Sequence, residues 1–305
     1  MKNPKKVALI GLGSMGRNHY RILKSIGGFE LVAICDVVKN GDYEEPFYSS
    51  VDKMLESEDI DACVIVVPTF LHKEVAIKCL EKGKDIFIEK PVASTVQEAN
   101  EILEVANRVN AKVAVGYIER FNPVVEALKD ELRETEIYSI GITRVGPFPP
   151  RIADVGILTD LSVHDIDLIR YITGREIVKT NIYRSRKIHN HHEDNAMLSF
   201  KLEHDVVASI TTNWLTPFRK RTIEVATKDA YYEADLMAQD LTEYSEYQKN
   251  NSYVIRKCMV KKEEPLLREQ LAFLNFLTSG NRGGLSTIKD SIITLEISSK
   301  KRIID

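Results

Sequence analysis

The chain predicts a two-domain α/β protein. A doubly wound parallel sheet comes first, and an α+β half built on a large, mainly antiparallel, open-faced sheet follows. Three observations carry this. Short apolar runs alternate with helix-length segments from Lys6 to Gly116, the pattern of successive βαβ units. After Val178 such runs follow one another with no helix between them, which implies antiparallel pairing. The 305 residues are enough for two domains of ordinary size.

The elements follow in order. Lys6–Ile10 (KVALI) is a short apolar run suited to a buried strand. Gly11, Gly13 and Gly16 then match G-x-G-x-x-G, and a helical pattern runs from Ser14 to Lys24 with Met15, Ile22 and Leu23 apolar. Strand, glycine turn and helix in that order is the context a dinucleotide fingerprint requires. Gly11 allows the tight turn, Gly13 lets a pyrophosphate approach the backbone, and Gly16 lets the helix pack against the strand. The free amides at the helix start, around Ser14 and Met15, favour an anion. Leu31–Cys35 reads as a second strand and ends at Asp36, 20 residues beyond Gly16. An acid there accepts ribose hydroxyls and repels a 2′-phosphate. Lys39 is the nearby cation, so the reading is a Rossmann domain that binds NAD in preference to NADP.

A polar loop and a short helix near Val51–Leu55 lead to Ala62–Val67 (ACVIVV), a strand buried on both faces. A helix over His72–Lys82 is stopped by Gly83, and Asp85–Glu89 is the next strand. Ser94 and Gln97 have the spacing of a capping box before a helix that reaches Arg108. Lys112–Gly116 is a further strand. The boundary falls near Ile118–Asn122, giving domains 1–119 and 120–305. Beyond it, Pro123–Leu132 and Thr159–Ile172 read as helices, the latter ended by Gly174, with Ile137–Val145 extended between them. Val178–Lys187, Ala196–Leu202, Val206–Asn213, Thr222–Thr227 and Tyr231–Asp235 read as strands, and helices over Pro265–Thr278 and Thr287–Ser299 close the chain.

Composition excludes several classes. A net charge of −3 supplies no global field for nucleic acid or an anionic membrane. No apolar run approaches the length of a membrane span. The basic start with its apolar VALIGLG lacks a clean cleavage pattern and serves better as the first strand. Cys35, Cys63, Cys79 and Cys258 show no C-x-x-C spacing and read as reduced residues of a cytoplasmic protein.

Chemistry concentrates in two places. Lys90 follows the strand Asp85–Glu89, and ligands of such sheets bind at the carboxyl ends of the strands. Alone, it also fits an ordinary strand-end lysine. Asp160 and His164 are four apart, hence on one helical face, where a carboxylate can orient an imidazole. Alone, the pair also fits a helix salt bridge. Together the fingerprint, PTFLH (68–72), EKP (89–91), GYIERFNP (116–123) and DLSVHDIDLI (160–169) resemble the glucose–fructose oxidoreductase, inositol dehydrogenase and MocA family across nearly the whole chain.

The resemblance implies that His164 takes the proton of a sugar hydroxyl, that Lys90 polarises that hydroxyl, and that Asp160 orients the substrate or the imidazole. It places Thr69, His72 and Glu89 along the nicotinamide ribose and Pro68 among the cofactor-binding residues, and it implies a cis bond between Lys90 and Pro91. The extended GYIERFNPVV is more similar to the nucleotide-sugar branch, UDP-N-acetylglucosamine 3-dehydrogenases, than to the inositol branch. Tyr117, Arg120, Asn122, Arg144 and Arg151 are the candidate substrate-binding residues, since a diphosphate needs forked cationic donors. The same arginines also fit interdomain or subunit salt bridges. Inositol or free-sugar oxidation, a catalytically silent NAD sensor and an NAD-dependent glycosidase are the competing readings. The expected partners are a small-molecule substrate and further copies of the chain, as a homodimer or homotetramer, because helices cover one face of the second sheet. HNHHED (189–194) reads as a loop rather than a metal site, and FRKR (218–221) as a solvated edge within reach of a phosphate.

Overall fold

The computed structural model describes residues 4–149 and 156–299. They form two compact units. One comprises the chain up to Ile118 together with Glu264–Ile293, and the other comprises Glu119–Glu263 and the chain from Thr294.

The first unit contains β1 (Lys5–Ile10), α1 (Ser14–Ser25), β2 (Phe29–Cys35), β3 (Phe47–Tyr48), α2 (Val51–Ser57), β4 (Ala62–Ile65), α3 (His72–Glu81), β5 (Asp85–Glu89), α4 (Val96–Val109) and β6 (Val113–Gly116). The strands pair in the order β3-β2-β1-β4-β5-β6, all parallel. The chain direction across the sheet reverses between β1 and β4, and the glycine turn sits at that switch point, the usual ligand crevice of a doubly wound sheet. Every residue of β4 is buried, as its unbroken apolar run requires. The cap of α4 lies one residue later than the Ser94–Gln97 spacing suggests. Thr95 Oγ1 accepts the Glu98 amide at 3.1 Å, and the Glu98 carboxylate accepts the Ser94 amide at 3.0 Å. Thr95-x-x-Glu98 satisfies two otherwise orphaned donors at once.

The second unit contains α5 (Pro123–Glu131), β7 (Ile137–Pro147), a π-helical turn (Leu158–Ser162), α6 (Val163–Thr173), β8 (Ile177–Ser185), β9 (Asn195–Leu202), β10 (Val207–Asn213), β11 (Leu215–Thr227), β12 (Ala230–Asp235), β13 (Asp240–Ser245) and β14 (Val254–Cys258). Its sheet runs β14-β13-β12-β11-β7-β10-β9-β8. All pairs are antiparallel except β10 with β7. Along β10, Ala208, Ile210 and Thr212 are buried while Val207 and Ser209 face out, so one face is packed and the other open. Gly174 ends α6 in the left-handed conformation, with φ at 63° and its amide on Arg170 O. Three strands go beyond the sequence reading. β3 is only two residues long, and the exposed edge strand β14 pairs with β13 as the outermost hairpin.

The chain ends in α7 (Pro265–Ser279) and α8 (Ile288–Ser299). The sequence division at 119/120 assigns both to the second domain, whereas α7 and the first part of α8 pack with the first unit. Phe273 of α7 is fully buried, with its ring 5.5 Å from Phe87 of β5 and 6.4 Å from Phe29 of β2. The Ser291 hydroxyl accepts the Val92 amide at 3.3 Å and meets the Tyr117 hydroxyl at 3.2 Å. Among the described residues, no helix is long and apolar enough to cross a membrane.

Candidate functional site

The glycine turn does three different things. At Gly11 the backbone is left-handed (φ 101°), and an added Cβ would lie 2.5 Å from Val66 O. At Gly16 a Cβ would lie 2.1 Å from Gly11 O, which is backbone and cannot move aside. At Gly13 no atom lies within 4 Å of that position. Gly13 is also the N-cap of α1 and supplies no side-chain acceptor. Two glycines thus close the turn against the protein, while the third leaves the helix start open to an incoming anion. Asp36, at the carboxyl end of β2, accepts the Leu12 amide through Oδ2 at 2.5 Å. The carboxylate is thereby fixed beside the turn, where a ribose hydroxyl is expected. Ser14 and Met15 form the first turn of α1. These residues fit a dinucleotide.

At the end of β5, Glu89 Oε1 lies 2.9 Å from Nε2 of His19, and Oε2 accepts the Lys90 amide at 3.2 Å. His19 is fully buried on α1, 70 residues away in sequence, so local pattern gives no sign of this pair. Lys90 is half-buried and is joined to Pro91 by a cis peptide bond. His72, expected along the ribose, is engaged through both ring nitrogens. It is buried, with Nδ1 2.8 Å from Pro91 O and Nε2 2.9 Å from Val67 O. Burial pulls its pKa down, against two carbonyl partners that favour N–H donors. Its role is to tie the loop after β4 to the turn after β5. Pro68 and Thr69 open that first loop, Pro68 exposed and Thr69 half-buried.

In the second unit, His164 is the second residue of α6 and is half-buried. Asp160 lies in the π-turn before it. Such turns concentrate at functional sites. Asp160 and Leu161 line a cleft of about 180 Å³ with Arg144, Pro147, Trp214, Arg219 and Arg221.

The expected substrate-binding residues divide. The Arg120 guanidinium is buried, forms a bidentate pair with Asp167 at 2.7 and 2.6 Å, and stacks 4.7 Å from the Tyr171 ring centre. Asn122 caps α5, accepting the Val124 amide, and donates to Leu236 O at 2.9 Å. Tyr117 is buried against Ser291. All three are buried and hydrogen-bonded within their own unit. Arg151 lies outside the described residues. Arg144 both lines the cleft and is 3% exposed. Its Nε donates to Asp165 at 2.8 Å and its Nη1 to Glu119 at 2.9 Å. Glu119 Oε1 also accepts from Arg221 at 3.2 Å. Burial alone would raise the Glu119 pKa, but Arg144 and Arg221 overcome it and hold the group below its ordinary value. Burial dominates at Asp165, whose pKa is pushed up to about 6. Burial opposes the charge of Arg144, and its two carboxylates more than offset it, raising its pKa.

HNHHED and the two residues before it build a turn from their own groups. The Asp194 carboxylate accepts the amides of Lys187, Ile188 and His189, and His189 Nδ1 faces the amides of His191 and His192, each at 3.0 Å.

Comparison with known proteins agrees with this geometry. Residues 5–117 match the family model described as an oxidoreductase family with an NAD-binding Rossmann fold, and residues 144–233 match the GFO/IDH/MocA C-terminal domain. The chain is 32% identical over 198 residues to the NAD(+)-dependent scyllo-inositol 2-dehydrogenase of Bacillus subtilis, covering 59% of this chain and 57% of that protein. It is 27% identical over 243 residues to the UDP-N-acetylglucosamine 3-dehydrogenase of Acidithiobacillus ferrooxidans, covering 78% and 76%. With several inositol dehydrogenases the match spans little more than half of their length. A solved structure of the A. ferrooxidans enzyme has the same fold, with a TM-score of 0.88 at 23% identity over 98% of this chain and 96% of that one. The chain belongs to the GFO/IDH/MocA oxidoreductase family, with an NAD-binding Rossmann domain.

Proposed function

We propose that the protein is an NAD-dependent dehydrogenase that oxidises a secondary hydroxyl of a sugar, the C3 hydroxyl of a UDP-linked N-acetylhexosamine, to the ketone. The observation that carries the dehydrogenase reading is the open glycine turn at Gly13 with Asp36 fixed beside it. The substrate reading is supported by the similarity to a UDP-N-acetylglucosamine 3-dehydrogenase, which runs over more of both chains than that to the inositol dehydrogenases. Family resemblance supplies the roles of the remaining residues.

Gly13 and the first turn of α1 hold the pyrophosphate on a turn that Gly11 and Gly16 make possible, and Asp36 holds the adenosine ribose. Bound NAD supplies the acceptor for the hydrogen leaving the sugar carbon. The His164 imidazole takes the hydroxyl proton as general base. The Lys90 ammonium stabilises the negative charge that develops on that oxygen. Glu89, itself held by His19, fixes the backbone amide of Lys90 and so the start of its side chain. Asp160 orients the substrate or the imidazole. The test is NADH formation across UDP-N-acetylhexosamines, free sugars and inositols. Turnover of myo-inositol or a free sugar without turnover of UDP-N-acetylglucosamine refutes the nucleotide-sugar assignment. Absence of NADH with every alcohol, despite NAD binding, refutes the dehydrogenase.

A further inference from the structure

The cleft in the second unit is lined by three guanidinium groups, and one of them holds a buried donor with no hydrogen-bond partner among the described residues. Arg144 of β7 and Arg221 of β11 stand directly opposite each other in the antiparallel ladder. Like charges in that position repel. Glu119 answers both through one oxygen, and Asp165 answers Arg144 alone. Arg219 makes no ion pair among the described residues, and it lines the same cleft. The register of β11 on β7 is irregular between Leu215 and Lys220. The stem of Arg219 lies over Gly146, where an added Cβ would be 3.4 Å from its Cγ.

The decisive atom is Arg144 Nη2. It is buried and has no hydrogen-bond partner among the described residues, although Nε and Nη1 of the same guanidinium are both satisfied. A buried charged donor left unsatisfied is costly, and folds retain few of them without a reason. An acceptor that arrives with the ligand is such a reason. Three guanidinium groups on one cleft, one with an unused donor and one with no ion pair among the described residues, favour an oxyanion over a neutral hydroxyl.

We propose that Arg144, Arg219 and Arg221 form an oxyanion subsite that binds a phosphoryl or carboxylate group of the substrate. The proposal rests on the dehydrogenase reading and assigns the residues that hold the anionic group of its substrate. Asp160 lies in the same cleft and belongs to the alcohol end of the ligand. FRKR, set aside in the sequence as a solvated edge, contributes two of the three arginines.

The test uses the full-length protein. Titration calorimetry measures binding of UDP as the phosphoryl probe, glucuronate as the carboxylate probe and myo-inositol as the neutral control. The probes are run against the wild type, Arg219→Ala, Arg219→Lys and Arg221→Gln. NAD affinity and thermal melting report folding. The expected result is that UDP or glucuronate binds the wild type at least tenfold more tightly than myo-inositol, and that whichever binds identifies the source of the oxyanion. Arg219→Ala and Arg221→Gln then weaken that probe at least tenfold with NAD affinity retained, and Arg219→Lys falls between. Two results overturn the proposal: neither anionic probe outbinding myo-inositol, or Arg219→Ala binding the preferred probe as the wild type does. NADH from neutral polyols with no anion binding removes the subsite and leaves the dehydrogenase intact. Failure of NAD to bind removes the dehydrogenase, while the probe titrations still score the subsite.

Discussion

Gly13 and Gly16 lie three residues apart in one turn, and the structure separates their roles. In Gly16→Ala the new Cβ would fall 2.1 Å from Gly11 O and 2.8 Å from Gly11 C, both backbone atoms. Helix and turn must part, and overpacking of this kind costs about 1–3 kcal/mol. In Gly13→Ala the Cβ meets nothing within 4 Å, and the backbone (φ −64°, ψ −167°) suits any residue. The change at this N-cap is worth at most about 1 kcal/mol. Yet the methyl group projects into the space a pyrophosphate needs. Urea unfolding and calorimetric NAD titration on both variants separate the effects. Gly13→Ala should unfold near the wild type and lose at least about tenfold in NAD affinity, roughly 1.4 kcal/mol. Gly16→Ala should lose stability and NAD binding together. Wild-type NAD affinity in Gly13→Ala would mean that the cofactor does not cross this turn. A wild-type unfolding curve for Gly16→Ala would show the packing argument to be wrong.

Further expectations follow from single features. NAD should exceed NADP in kcat/KM, and Asp36→Ala should weaken NAD about tenfold or more, since hydrogen bonds to a charged group are worth roughly 1.5–3 kcal/mol; equal use of NADP by the wild type contradicts this. Arg120→Ala leaves Asp167 buried without its bidentate partner and should cost about 3–5 kcal/mol in chemical denaturation, with a loss under about 1 kcal/mol refuting the structural role. Asp165 has a folded pKa of about 6, above the ordinary carboxylate value. The native state therefore holds a proton that the unfolded chain has released, and this group's contribution to stability falls as pH rises through 4 to 6, by about 3 kcal/mol at most. Glu119 is shifted the other way, so its slope lies at lower pH. Stability of Asp165→Asn relative to the wild type should therefore improve between pH 5 and pH 7, and a change of the opposite sign refutes the assignment. Light scattering should give a dimer or tetramer, because Tyr138, Met197, Val207 and Tyr231 are exposed on the strands of the second sheet; a monomer at micromolar concentration contradicts it.

What could be read from the chain was what is local. The glycine turn, Asp36 and the strand ending at Glu89 each follow from a short window, because parallel strands announce themselves as unbroken apolar runs. The buried ion pairs do not. Arg120 meets Asp167 across 47 positions and Arg144 meets Glu119 across 25, so arginines that suggest a diphosphate site in sequence divide by topology into structural and available ones. Arg219 and Arg221 looked like solvent-facing charge because nothing near FRKR reveals that β11 extends to Leu215 and lies against β7. The π-turn has no sequence signature, and the exposed edge strand β14 lacks the half-buried alternation that marks inner strands.

The return of α7 to the first unit bears on the order in which the protein can be made. Phe273 closes the apolar layer over Phe87 and Phe29, and Ser286 O accepts the Val115 amide of the last parallel strand. During synthesis the nucleotide-binding half leaves the ribosome first with this surface bare. The whole of the second unit up to Glu263 must then emerge before the covering helix arrives. A fragment ending at residue 119 is for the same reason an unfinished module, with Phe87 and the β6 edge uncovered. The polypeptide completes its beginning only at its end.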